Sequence, residues 1–181
     1  MQLETDVTRH GLLLLVVVAL SGCVGMAVEG ARMSSDAAVR DQNMAAAVAG
    51  DVEAQYKVGK SYCCAPRNDG DAFYDNRKAT DFLCRAARKR HAGAAFELGK
   101  IHSGDTVRGV RLIRRAATLV VGDAVDEKVI AYYWFDRAAA WGEPEARRSA
   151  DKLGAQDIKR FTDPATTPCT IDEVHGAVAS G

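Results

Sequence analysis

Four cysteines, Cys63, Cys64, Cys84 and Cys169, are the residues of this 181-residue chain whose type and number most directly suggest chemistry. An even number of thiols in an oxidising compartment implies disulfides. Adjacent cysteines lack the two-to-four-residue gap that zinc sites use, so a set built from Cys63, Cys64, Cys84 and His91 is not expected to hold a metal. Ser149-Ala150-Asp151-Lys152 places a lysine amine one helical turn after a serine hydroxyl, a nucleophile-and-base spacing. The pattern is short enough to arise by chance, and its companion motifs are absent. The chain has no glycine-rich phosphate loop and no paired catalytic carboxylates, so it is expected to be non-catalytic and without a cofactor. Tyr132-Tyr133-Trp134-Phe135 is an aromatic run. Trp134 and Phe135 fall at core offsets, which leaves Tyr132 and Tyr133 as the exposed pair and a candidate recognition surface.

The elements that must position these residues repeat. Lys78 to Ala87 carries apolar residues at the same offsets as Ile130 to Ala139, and Ala54 to Tyr62 lies in register with Ala94 to His102. A weaker third copy begins at Ala146, Ala150 and Gly154. Spacings of three and four put these side chains on one stripe of an α-helix. Ala54, Ala94, Ala87 and Ala139 are small residues on those stripes. Gly59 and Gly99 sit at the same position of two copies, where glycine costs about 1 kcal/mol relative to alanine; a cost repeated in register implies close approach of a neighbouring helix. Gly50-Asp51 ends one helix and caps the next, and Gly142-Glu143-Pro144 repeats that punctuation with proline at a first helical position. Strand signals are almost absent. The expected fold is all-α, a tandem array of helix pairs forming a short solenoid.

Gly50-Asp51-Val52-Glu53-Ala54-Gln55-Tyr56-Lys57-Val58-Gly59-Lys60-Ser61-Tyr62, followed by Lys78-Ala79 and Arg85-Ala86-Ala87, resembles the Sel-one-like repeat, a relative of the tetratricopeptide repeat. The resemblance covers roughly Ala45 to Gly154 and departs from the family at two long connections and at the junction His91-Ala92-Gly93. It implies a right-handed α-solenoid that binds a protein or peptide on its concave surface. Cysteine-rich relatives have been discussed as β-lactam-binding, and with Ser149 this keeps an envelope hydrolase as the alternative. A tether or assembly factor for envelope polysaccharide or secretion machinery is a third reading.

The N-terminus points to the cell envelope. Leu12 to Leu20 is an unbroken apolar run that would rise only about 14 Å as a helix, too short for a bilayer. Arg9 and His10 precede it and small residues follow, as in a secretory signal, although Glu4 and Asp6 make the leader acidic. Leu20-Ser21-Gly22-Cys23 resembles the bacterial lipobox. That resemblance implies removal of residues 1–22, lipid on Cys23 and anchoring by two or three acyl chains; Val24 after the cysteine favours the outer membrane over the inner. Residues 23–40 then form a tether, 41–160 the solenoid and 161–181 a C-terminal tail in which Thr170 and Glu173 could form a capping box. The formal net charge is zero, which argues against nucleic acid as a partner.

Two connections interrupt the repeats. Cys63 to Asn76 is polar, contains Pro66 and Gly70, and reads as a loop. Val107 to Val121 is amphipathic and puts Arg108, Arg111 and Arg115 on one face. It reads as an inserted helix or a decayed repeat ending at Gly122-Asp123, either packing with a solvated face or offering a basic contact surface to an acidic protein or lipid headgroups. Cys63 and Cys64 end the first helix of a pair and Cys84 lies on the second, so a Cys64–Cys84 staple is favoured, with Cys63–Cys169 second; buried free thiols are the alternative. His102 takes the register position of Tyr62, as a packed or rim residue rather than a ligand. His175 lies in the tail without an evident partner.

Overall fold

A computed structural model describes residues 31, 33–63, 74–104, 124–159, 161–170 and 173, and every described element is helix, turn or irregular backbone. Cys23 with the whole leader, Cys64, most of the first connection, the segment carrying Arg108, Arg111 and Arg115, and His175 lie outside the described residues. The chain divides into two compact units, Met1–Ala38 and Val39–Gly181. In the first, the described residues are helical. All the packing below belongs to the second.

Among the described residues, these helices follow one another: α1 over 33–48, α2 Val52–Tyr62, α3 Asn76–Arg88, α4 Ala92–Ser103, α5 Ala124–Ala140 and α6 Ala146–Leu153. The expected tether is therefore helical from residue 33 onward. From α2 on, each described helix packs on the next described one, and α2 also touches α4.

Three junctions share one geometry. After α1, the amide of Gly50 donates to Ala47 O and that of Asp51 to Ala46 O; after α3, Arg90 donates to Ala87 O and His91 to Ala86 O; after α5, Gly142 donates to Ala139 O and Glu143 to Ala138 O. Each is the pair of bonds that closes a helix when the residue past its cap is left-handed. Gly50 (φ 100°) and Gly142 (φ 101°) adopt that conformation freely, whereas at the middle junction Arg90 adopts it at φ 65°. The departure from the repeat pattern thus changes the residue and keeps the turn.

Each following helix starts differently. Asp51 Oδ1 accepts from Ala54 N at 2.7 Å at the start of α2. His91 takes the same role for α4, its Nδ1 accepting from Ala94 N at 3.1 Å. With Nδ1 an acceptor, Nε2 carries the proton and donates to Glu53 at 3.1 Å, tying α4 to the first turn of α2. Lys89 adds a second tie, donating to Gly50 O at 2.7 Å. The start of α6 has no side-chain cap, and Pro144 stands in the turn before the helix rather than in its first position. α6 ends at Leu153, short of the expected solenoid boundary at residue 160, because Gly154 (φ 74°) turns the chain out of the helical region.

Alanines and glycines let the helices close. Ala54, Ala87, Ala94, Ala146 and Ala150 are buried, Ala139 packs partly buried against the core, and Leu83, Leu98, Trp134 and Phe135 fill the spaces between. A Cβ on Gly59 would lie 2.9 Å from the Leu83 backbone nitrogen and 2.7 Å from its Cγ; one on Gly99 would lie 2.5 Å from Phe135 Cδ1. Arg40 is buried and donates to Ser61 O at 2.7 Å while stacking over Tyr62, which gives the C-terminal end of α2 a cation.

Gly99→Ala should lower stability by about 1–3 kcal/mol in urea unfolding, because the overlap with the Phe135 ring outweighs the propensity gain of about 1 kcal/mol. Phe135→Leu in the same chain should recover part of the loss. Arg90→Gly should raise stability by about 1 kcal/mol, since it removes a left-handed residue bearing a side chain.

Candidate interaction surface and tail clamp

Two aromatic–amine pairs stand in register on α2 and α4. Lys60 Nζ lies 5.6 Å from the centre of the Tyr56 ring and donates to its hydroxyl at 3.3 Å. Lys100 Nζ lies 5.0 Å from the centre of the Phe96 ring and 2.6 Å from the Glu97 carboxylate. Both pairs follow from one register, an aromatic residue four before a lysine, the spacing that stacks side chains on one helix face. Tyr56 also stacks on His91 at 4.4 Å, which closes the surface across the two helices. Partial burial works against the charge on Lys60, but the Tyr56 hydroxyl and the carboxylates of Glu97 and Glu143 hold its pKa above the ordinary lysine value. The result is a band of half-buried rings and positioned amines, with carboxylates beside them.

A second constellation gathers around the C-terminal tail. Cys169 is disulfide-bonded to Cys84 of α3, with Cα atoms 5.6 Å apart. His102 of α4 donates from Nε2 to Cys169 O at 2.9 Å, and Trp134 of α5 donates from Nε1 to Pro168 O at 3.3 Å. Arg88 reaches both oxygens of Glu173, at 3.0 and 3.2 Å. The capping box forms: Glu173 N donates to Thr170 Oγ1 at 3.0 Å, and Glu173 Oε2 accepts from Cys169 N at 3.0 Å and Thr170 N at 3.3 Å. The tail thus returns to α3, α4 and α5.

This arrangement corrects two expectations. Because Cys84 and Cys169 are joined to each other, neither the Cys64–Cys84 nor the Cys63–Cys169 pairing forms. Cys63 is disulfide-bonded too, to a partner outside the described residues. Loop closure explains why the longer pairing is effective: a link spanning 85 residues stabilises by about 4.5 kcal/mol in the chain-entropy model, more than a short staple would. Tyr133 is wholly buried and Tyr132 half-buried, so they form no exposed pair. The offsets of α5 assumed one buried face, but the tail covers a second. Phe161 meets the Tyr133 ring edge-on at 5.8 Å, and Trp134 packs on its other side at 5.0 Å. Burial raises the pKa of the Tyr133 phenol by more than nearby Thr167 and Arg137 lower it.

The ligand atoms of Cys84, Cys169 and Glu173 lie within 4.8 Å of one another, but both sulfurs are committed to the disulfide. His91 is occupied as a helix cap, and Cys84 is bonded to Cys169. Ser149 and Lys152 both lie on the short helix α6, with Lys152 exposed. The sequence signal for the aromatic–lysine band is the spacing Tyr56-x-x-x-Lys60 and Phe96-x-x-x-Lys100 within the aligned copies, which the candidate site residues above do not include.

Glu173 makes the clamp pH-sensitive. Burial opposes its ionisation, but the amides of Cys169 and Thr170 and the Arg88 guanidinium outweigh this and hold the carboxyl below its ordinary pKa. A depressed carboxylate pKa contributes stability above the unfolded-state value, and that contribution is lost as pH falls through the folded-state value. The Arg88–Glu173 pair is more than a third exposed on the glutamate side, so its own share is under about 1 kcal/mol. Hydrogen exchange at the Cys169 and Thr170 amides, corrected for intrinsic rates, should keep its protection down to the ordinary glutamate pKa of about 4.3 and lose it as pH falls below that. Glu173→Gln should abolish that dependence.

Comparison with protein-family models, with curated proteins and with solved structures finds no match for this chain.

Proposed function

We propose that this chain is a non-catalytic protein-binding module of the bacterial cell envelope: a short right-handed α-solenoid of helix-pair repeats, held on the periplasmic side of the outer membrane by lipid on Cys23. The observation that carries the binding reading is the band of Tyr56, Lys60, Phe96 and Lys100. Aromatic rings with restrained amines offer large contact area at low entropic cost and suit a protein or peptide bearing acidic side chains. Three identical helix junctions and sequence-ordered packing support a repeat architecture. Oxidised Cys84 and Cys169 agree with an exported setting, and the lipobox-like Leu20-Ser21-Gly22-Cys23 supplies the anchor. The role is positional: the lipid holds at the membrane a surface whose partner is another envelope protein.

The test is site-specific photocrosslinking in membranes of a bacterial host, with the reactive side chain at position 60 or, as a control, at exposed position 147 on α6. A discrete adduct from position 60 alone, lost with Lys100→Glu, is the expected result. Equal labelling from both positions, or none, overturns the binding reading. Labelled fatty acid should enter the wild-type chain and not Cys23→Ser; incorporation that survives this change overturns the anchor.

A further inference from the structure

The segment that covers α3, α4 and α5 is held as a bound peptide would be. Residues 161–170 contain no regular helix, yet Thr167 and Cys169 are buried as deeply as the helical core. Three helices each contribute one polar contact to this segment. His102 and Trp134 donate to the consecutive carbonyls of Cys169 and Pro168, and Arg88 takes the carboxylate four residues further on. Donors aimed at main-chain carbonyls read a backbone without regard to its side chains, as in other modes of peptide recognition. The guanidinium adds a preference for an acidic residue. Among these contacts, only the Cys84–Cys169 bond is covalent.

We propose that the α3–α4–α5 face is a second peptide-binding site, closed in cis by residues 161–170 with Glu173 and opened by reduction of Cys84–Cys169, whose trans ligand is a peptide carrying an acidic residue. The proposal rests on the binding-module reading above and adds to it a site, a ligand class and a control. The reductant is a dithiol of the thiol–disulfide oxidoreductase class. Both cysteines are buried, so exchange follows transient local opening of the tail; one thiolate of the dithiol then attacks a sulfur of the Cys84–Cys169 bond to give a mixed disulfide, and its second thiol displaces that sulfur. The dithiol leaves as a disulfide and both cysteines leave as thiols, so two electrons and two protons pass to the protein. Before reduction the covalent link denies the site to any competitor. Afterwards the tail competes only through its effective concentration, which for a tethered segment is on the order of millimolar.

The probe is a fluorescein-labelled synthetic peptide with the sequence of residues 161–174 and Cys169→Ser, titrated by fluorescence anisotropy into the full chain. Oxidised protein should bind it at least about tenfold more weakly than protein treated with dithiothreitol. Because the reagent also reduces the bond at Cys63, the Cys84→Ser/Cys169→Ser chain isolates this switch: it should bind the peptide whether or not reductant is present. Arg88→Glu in that background should weaken binding, and a peptide with Glu173→Arg should restore it. Equal binding by oxidised and reduced chains, or absence of binding by the double variant, overturns the proposal. Loss of helical circular dichroism in the double variant also overturns it, because the tail would then be part of the core rather than a cover. The crosslink from position 60 reports separately on α2 and α4. If that adduct persists while the peptide fails to bind, this inference falls and the binding-module reading stands. If the adduct is absent while reduced protein takes the peptide, the reverse holds.

Discussion

Between α4 and α5 at Gly99 there is room for a hydrogen atom and no more, and a similar limit applies between α2 and α3 at Gly59. Helix axes that approach this closely bring backbone against side chain with few voids, the packing density that protein interiors require. The rest of the array depends on this spacing. It places Phe135 where Phe96 can tilt against it at 5.7 Å, and it leaves Leu83, Leu98 and Trp134 to fill what remains. Alanines on the neighbouring turns extend the same approach along each helix. The small residues are thus a geometric constraint, and the large ones are sized to it.

The junctions supply the second constraint. The same pair of bonds closes a helix at Gly50, Arg90 and Gly142. Tyr56 with Lys60 and Phe96 with Lys100 hold the same register in the two helices that follow the first two of these turns. The middle junction shows how tolerant this is: a left-handed arginine replaces glycine at a local cost, and cross-links from His91 to Glu53 and from Lys89 to Gly50 hold the turn in place.

The tail departs from this local logic. It contributes little regular structure, yet its contacts reach α3, α4 and α5 together, and its single covalent bond spans most of the array. A segment attached this way adds stability by limiting the unfolded chain, and it hides the face it covers. The buried Tyr133 ring belongs to that hidden face, not to the outer surface.

Helix positions, helix-closing residues and the need for close approach were legible in the sequence, because they follow from periodicity and from the few residues that permit special backbone geometry. Gly50, Asp51, Gly59, Gly99 and Gly142 carry that information locally, and so does the capping box of Thr170 and Glu173. The end of α6 was less legible, since one glycine at position 154 outweighed an apolar pattern that continues past it. What only the tertiary structure decided was contact between residues far apart in the chain. Nothing near Cys84 distinguishes Cys64 from Cys169 as its partner, and nothing near Tyr133 announces that Phe161 will cover it. Local pattern sets which face of a helix is apolar; which segment comes to rest on that face depends on the path of the whole chain.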